Sequence, residues 1–92
     1  MIETLGDILN KIEAIFDCKA GTIKELAKYM DRRPQRISEY VAQRKHQPSV
    51  PDYIKMKEWA SKITLKIAMA GSAMQVAYKQ AYHDVRQKRK AA

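Results

Sequence analysis

One cysteine, one tryptophan, one phenylalanine, three glycines and three prolines occur among the 92 residues. The lone Cys18 excludes an internal disulfide and any metal cage built from cysteines. So few glycines and prolines, without a run of alternating β-branched residues, exclude a turn-rich β protein and leave an all-α chain as the expectation. The longest uncharged apolar-rich run, residues 67–78, falls short of the ~20 residues that span a bilayer. The amino end is acidic and amphipathic, without the basic flank and apolar core of a secretion signal, so no membrane partner and a cytoplasmic location are expected. His46 and His83 stand far apart with no second ligand at metal spacing, and no glycine-rich loop could cradle a phosphate, so no metal or other cofactor is expected. Cys18 has no base or orienting group at hand, and it reads as a small core or helix-end residue. Neither an enzyme nor a small-molecule substrate is expected.

Positive charge is abundant and unevenly spread: 18 basic against 10 acidic residues give a formal net charge of +8. Residues 1–18 carry four acidic groups against one lysine; residues 19–46 carry eight basic against three acidic groups, and residues 47–92 nine against three. A polyanionic partner fits that distribution better than solubility alone does.

Apolar spacing divides the chain into helices. Ile2, Leu5, Leu9, Ile12 and Phe16, widened by Ile8 and Ile15, mark a first amphipathic helix near residues 3–17, with Gly21 as its stop. Thr22 opens a second helix, and Thr22 with Glu25 has capping-box spacing. Leu26, Ala27 and Met30 form its inner face. Pro34 starts a third helix that runs to about Arg44, with Arg33 held extended in the turn or cap before it. Ser49 caps a fourth, with Pro51 in its first turn; Tyr53, Met56, Ala60, Ile63 and Ile67 line its inner face. The same spacing continues through Ala70, Met74, Ala77 and Ala81 and would fit one long helix, but Gly71, Ser72 and Gln75 signal a stop and restart, so a break near Gly71 is favoured, with a fifth helix from about Ala73 to Lys88. Trp59, Met56, Met69 and Met74 read as core and interface filler.

The third helix buries Ile37, Tyr40 and Val41 and turns Gln35, Arg36, Glu39 and Gln43 outward, a geometry suited to a DNA major groove. Arg36 can pair two donors with guanine and Gln35 can pair bidentately with adenine. Glu39 can accept from cytosine or pair with Arg36. Lys24, Arg32, Arg33, Arg44 and Lys45 are candidate phosphate contacts, joined by the backbone amide of Thr22 at a helix amino end.

Residues 22–49 resemble the phage-repressor and Cro-type helix-turn-helix family, through Thr22, Glu25, Leu26, Ala27, Met30, Ile37, Pro48 and Ser49 at the family's spacing, with Tyr40 at a further apolar anchor position. Three positions depart from its pattern: Asp31 replaces the turn glycine, Arg32 replaces an apolar residue, and Val41 replaces the glutamate that often ends the recognition helix. The resemblance implies a lambda-repressor-like domain over residues 1–65, with the helix-turn-helix at about 22–44, and a regulator that binds double-stranded operator DNA. Residues 66–92 add a helix and basic tail. Its face of Met74, Ala77, Tyr78, Ala81, Tyr82 and Val85 is expected to form a homodimer interface, with packing back on its own domain as the alternative. The competing expectation is an interaction module on the same fold, such as an antitoxin or an inhibitor of a nucleic-acid enzyme.

Overall fold

Five helices follow one another in the computed structural model, which describes the backbone of residues 3–91 and the side chains of residues 3–89. They are α1 (Leu5–Cys18), α2 (Thr22–Met30), α3 (Pro34–Val41), α4 (Val50–Met69) and α5 (Ser72–Ala91). The architecture is all-α, with no strand among the described residues. Ile2, the first residue of the expected apolar stripe, lies outside them.

Each helix boundary has a local cause. Thr4 and Asp7 form a reciprocal capping box at the start of α1: the Asp7 amide donates to Thr4 Oγ1 at 3.1 Å and the Thr4 amide to Asp7 Oδ2 at 3.2 Å. Gly21, at φ 83°, takes the left-handed turn expected of it. The capping box expected at Thr22 and Glu25 does not form. Thr22 is buried inside the first turn of α2, and its hydroxyl donates back to the Lys19 carbonyl at 2.9 Å. The α2 amino end therefore has no side-chain cap.

Asp31 adopts the left-handed conformation (φ 56°, ψ 48°) that glycine takes most readily, and the Arg32 amide closes the turn on the Ala27 carbonyl at 2.9 Å. Arg33 is extended (φ −74°, ψ 145°) and Pro34 opens α3, both as expected. α3 stops at Val41, one turn before Arg44. The amides of Ala42 and Gln43 converge on the Ser38 carbonyl at 2.9 and 3.0 Å, and Arg44 turns left-handed at φ 53°. Ser49 caps α4 and Gly71, at φ 112°, separates α4 from α5, both as expected.

Ile8, Ile12, Ile15, Leu26, Met30, Ile37, Val41, Met56 and Ile63 meet in one core, each such side chain contributing about 1.5–3 kcal/mol relative to exposure. Trp59 is part of it, tilted against Phe16 with ring centroids 6.2 Å apart. α1 carries apolar groups around most of its circumference, so a single neighbour cannot cover it. α5 supplies the missing cover, and α1 with α5 makes the most extensive helix contact in the fold. This corrects the expected dimer face: Met74 and Tyr78 pack on the core and Val85 is buried within the chain. Ala81 and Tyr82 are half-buried, Tyr82 stacking on Tyr78 at 6.2 Å, and Ala77 alone of that set stays exposed. Met69, read as filler, is exposed as well.

Candidate nucleic-acid interface

α3 buries Ile37, Tyr40 and Val41, and that anchored side fixes which residues look outward. Gln35 and Arg36 are exposed, and Glu39 is half-buried beside them. With Asp31, Arg32 and Arg33 these residues line an open cleft of about 440 Å³. The Arg36 guanidinium lies 5.9 Å from the Tyr40 ring centroid. Glu39 does not pair with Arg36. Its Oε2 stands 3.6 Å from His46 Nε2, an ion pair when that histidine is protonated. Gln43 is exposed but lies beyond the end of α3, so its placement on the reading face of the helix is corrected.

Arg32 turns toward α4, which corrects its expected place against a phosphate. Its Nε donates to Asp52 Oδ2 at 3.4 Å and its Nη2 to Oδ1 at 3.2 Å, while the Tyr40 hydroxyl donates to the same Oδ2 at 3.0 Å. Asp52 is buried, and an isolated carboxylate there would be costly; the three donors make its burial tolerable. Burial, and then the bond to Asp52, pushes the Tyr40 phenol above its ordinary range. The network ties the turn, α3 and the first turn of α4 together.

Arg44 points inward, which corrects its expected place against a phosphate. Its left-handed backbone turns the side chain back between α3 and α1, where Nε donates to the Val41 carbonyl of α3 at 2.6 Å and Nη2 to Asn10 Oδ1 of α1 at 2.9 Å. Arg89 of α5 meets it there, donating to Glu13 Oε1 at 2.6 Å and to the Ala42 carbonyl at 2.8 Å. Burial, then the nearby Arg89 charge, lowers the proton affinity of Arg44. Two guanidiniums thus cover the carboxyl end of α3, where the helix dipole favours cations.

Lys24, Arg33 and Lys45 remain exposed. The uncapped start of α2 opens on a second cleft, lined by Phe16, Gly21, Thr22, Ile23, Lys24 and Pro34. Thr22 can present only its backbone there, because its hydroxyl is turned to Lys19. Sequence reasoning missed Asp52, Glu13, Asn10 and Arg89 as supports of this site. One signal was available: an arginine at an apolar position of the turn implies a carboxylate nearby.

Among the described residues no three His, Cys, Asp or Glu side chains cluster as a metal site, and no helix is long and apolar enough to cross a membrane. Comparison of the chain with protein-family models, curated proteins and solved structures returned no match.

Proposed function

We propose that this protein is a sequence-specific DNA-binding regulator of the phage-repressor and Cro type, a repressor that occupies an operator as a homodimer. The observation that carries the reading is α3 itself. It is fixed on its inner side by core packing and the Arg32–Asp52–Tyr40 network, and it projects Gln35 and Arg36 from a cationic rim. Among the described residues no carboxylate forms an ion pair with Lys24, Arg33, Arg36 or Lys45. Arg36 then reads guanine and Gln35 adenine, each bidentate pair giving ~1–3 kcal/mol of discrimination. Lys24, Arg33, Lys45 and the α2 amino end hold phosphates and set the register.

Selection of bound sequences from random duplex DNA at ~150 mM salt tests this, because charge-driven binding weakens there while base readout persists. A recurrent, dyad-symmetric sequence is expected. With about three phosphates neutralised per copy and two copies bound, log K should fall against log salt with a slope of roughly −5. Equal affinity for all sequences, or a flat salt response, would overturn the reading and favour the interaction module.

A further inference from the structure

α4 has a second apolar side. Its buried side holds Met56, Trp59, Ala60, Ile63 and Ile67. Half a turn away, at 3.6 residues per turn, stand Val50, Ile54, Leu65 and Met69, exposed by 71, 49, 62 and 79%. Single exposed apolar residues need no explanation, but here they form two pairs on one outward line, Val50 with Ile54 and Leu65 with Met69, separated by about 16 Å of helix that carries Glu58 and Ser61. No part of the described chain covers these four side chains, as their exposure shows.

We infer that this outer face of α4 is where two copies of the chain meet, with the two α4 helices antiparallel across a dyad between Trp59 and Ala60. The residue pattern is complementary to itself in that register. Ile54 comes level with Leu65 of the second copy, Val50 with Ala68, and Met69 with Pro51, each within about one residue's rise of 1.5 Å. On one flank Glu58 comes level, within the same rise, with Lys62 of the second copy, and the dyad repeats the pair. On the other flank Lys57 meets the small Ser61. A parallel pairing would instead set Lys62 beside Lys62 and Glu58 beside Glu58. Glu58 accepts from the Tyr29 hydroxyl at 3.1 Å, and Lys62 lies 5.3 Å from the Tyr29 ring centroid, so both flank charges are already steered in each copy. A carboxylate inside the apolar line also argues for a protein surface over lipid. The inference deepens the two-copy reading above and rests on it for its consequence on DNA.

Sedimentation equilibrium of the intact chain at micromolar concentration tests it, with circular dichroism as the control for folding. The wild type should sediment at twice its 10.6 kDa chain mass. Leu65→Glu, at an exposed site, should keep its helicity and raise the dimer dissociation constant at least ~10-fold. Glu58→Lys and Lys62→Glu should each weaken the dimer, and the double exchange should recover it, because the pair is restored in reverse. A monomeric wild type, an intact Leu65→Glu dimer, or a double exchange weaker than both single variants would overturn the inference. Vesicle binding by a monomeric wild type would overturn it in favour of lipid. A monomer that still prefers one half-site sequence sinks this interface and spares the DNA reading; a dimer indifferent to DNA does the reverse.

Discussion

At its amino end α3 is tied through Arg32 to Asp52 on the adjoining α4, a connection that spans 20 residues of chain. At its carboxyl end it is tied through Arg44 and Arg89 to Glu13, joining the first helix to the last. The first tie is built on a buried carboxylate with three donors. The second is built on helix carbonyls and a half-buried carboxylate. Residues 19–46 contain six exposed lysines and arginines besides Arg32 and Arg44, so basic charge in that segment has two distinct jobs. Some cations hold the helix; others face outward from it.

The amino-terminal tie should be the stronger. Replacing Asp52 with alanine leaves the Tyr40 hydroxyl inside without an acceptor and Arg32 without its counter-charge. Loss of a buried pair costs 3–5 kcal/mol, but Arg32 is about half exposed (47%), so about 2–3 kcal/mol is expected. Urea titration checks the value. A loss under ~0.5 kcal/mol would mean that Asp52 does not hold the turn.

The outward cations should behave in the opposite way. Arg36→Ala should leave the unfolding free energy from urea titration within ~0.5 kcal/mol of wild type and relax base preference by ~1–3 kcal/mol. Lys45→Ala should weaken all sequences alike. If Arg36→Ala lowers affinity uniformly with the preferred sequence unchanged, Arg36 belongs with the phosphate contacts.

Legibility in the sequence follows the same divide. Pro34 and Gly71 act through their own backbone and Ser49 through its hydroxyl, all locally, and the boundaries they signal appear in the fold. The capping box was misplaced because Thr4 with Asp7 and Thr22 with Glu25 share one spacing. Only the left-handed Gly21 decides that Thr22 enters the helix rather than capping it. Arginine roles were legible only in part: Arg36 lies on a face fixed by helical period, whereas Arg44 depends on a left-handed turn that no local pattern marks. The face of α5 read as an interface because its apolar period says what is buried but not against what. The apolar girth of α1, through Leu5, Ile8, Ile12, Ile15 and Phe16, was the clue to its true neighbour.

The carboxyl-terminal tie should give a smaller effect than Asp52 does. Arg89→Ala removes a charge-assisted bond to Glu13 and a cation at the α3 carbonyls, and about 1 kcal/mol is expected, with Arg44 still in place. A double-mutant cycle with Arg44→Ala should show more loss than the two single values combined, because each guanidinium partly substitutes for the other. Strict additivity would separate the two arginines into independent contacts.

The smallest effect lies at alkaline pH and isolates the amino-terminal tie. Burial, then Asp52, raises the Tyr40 phenol above its ordinary value of 10.0. The folded state therefore keeps that proton after the unfolded chain has begun to lose it. Stability from this group is complete below about pH 10, the unfolded value, and is lost as pH rises from there through the folded pKa. Tyr78, whose phenol is also raised by burial, adds a loss of the same sign. Tyr40→Phe should cost about 1 kcal/mol at neutral pH through the lost bond to Asp52. It should also make the decline above pH 10 shallower than in the wild type, while Arg89→Ala leaves that decline unchanged. Melting temperatures measured at intervals between neutrality and the alkaline limit of reversible unfolding compare the three chains. An unaltered alkaline slope in Tyr40→Phe would show that the phenol ionises alike in both states, and that Asp52 does not sense it.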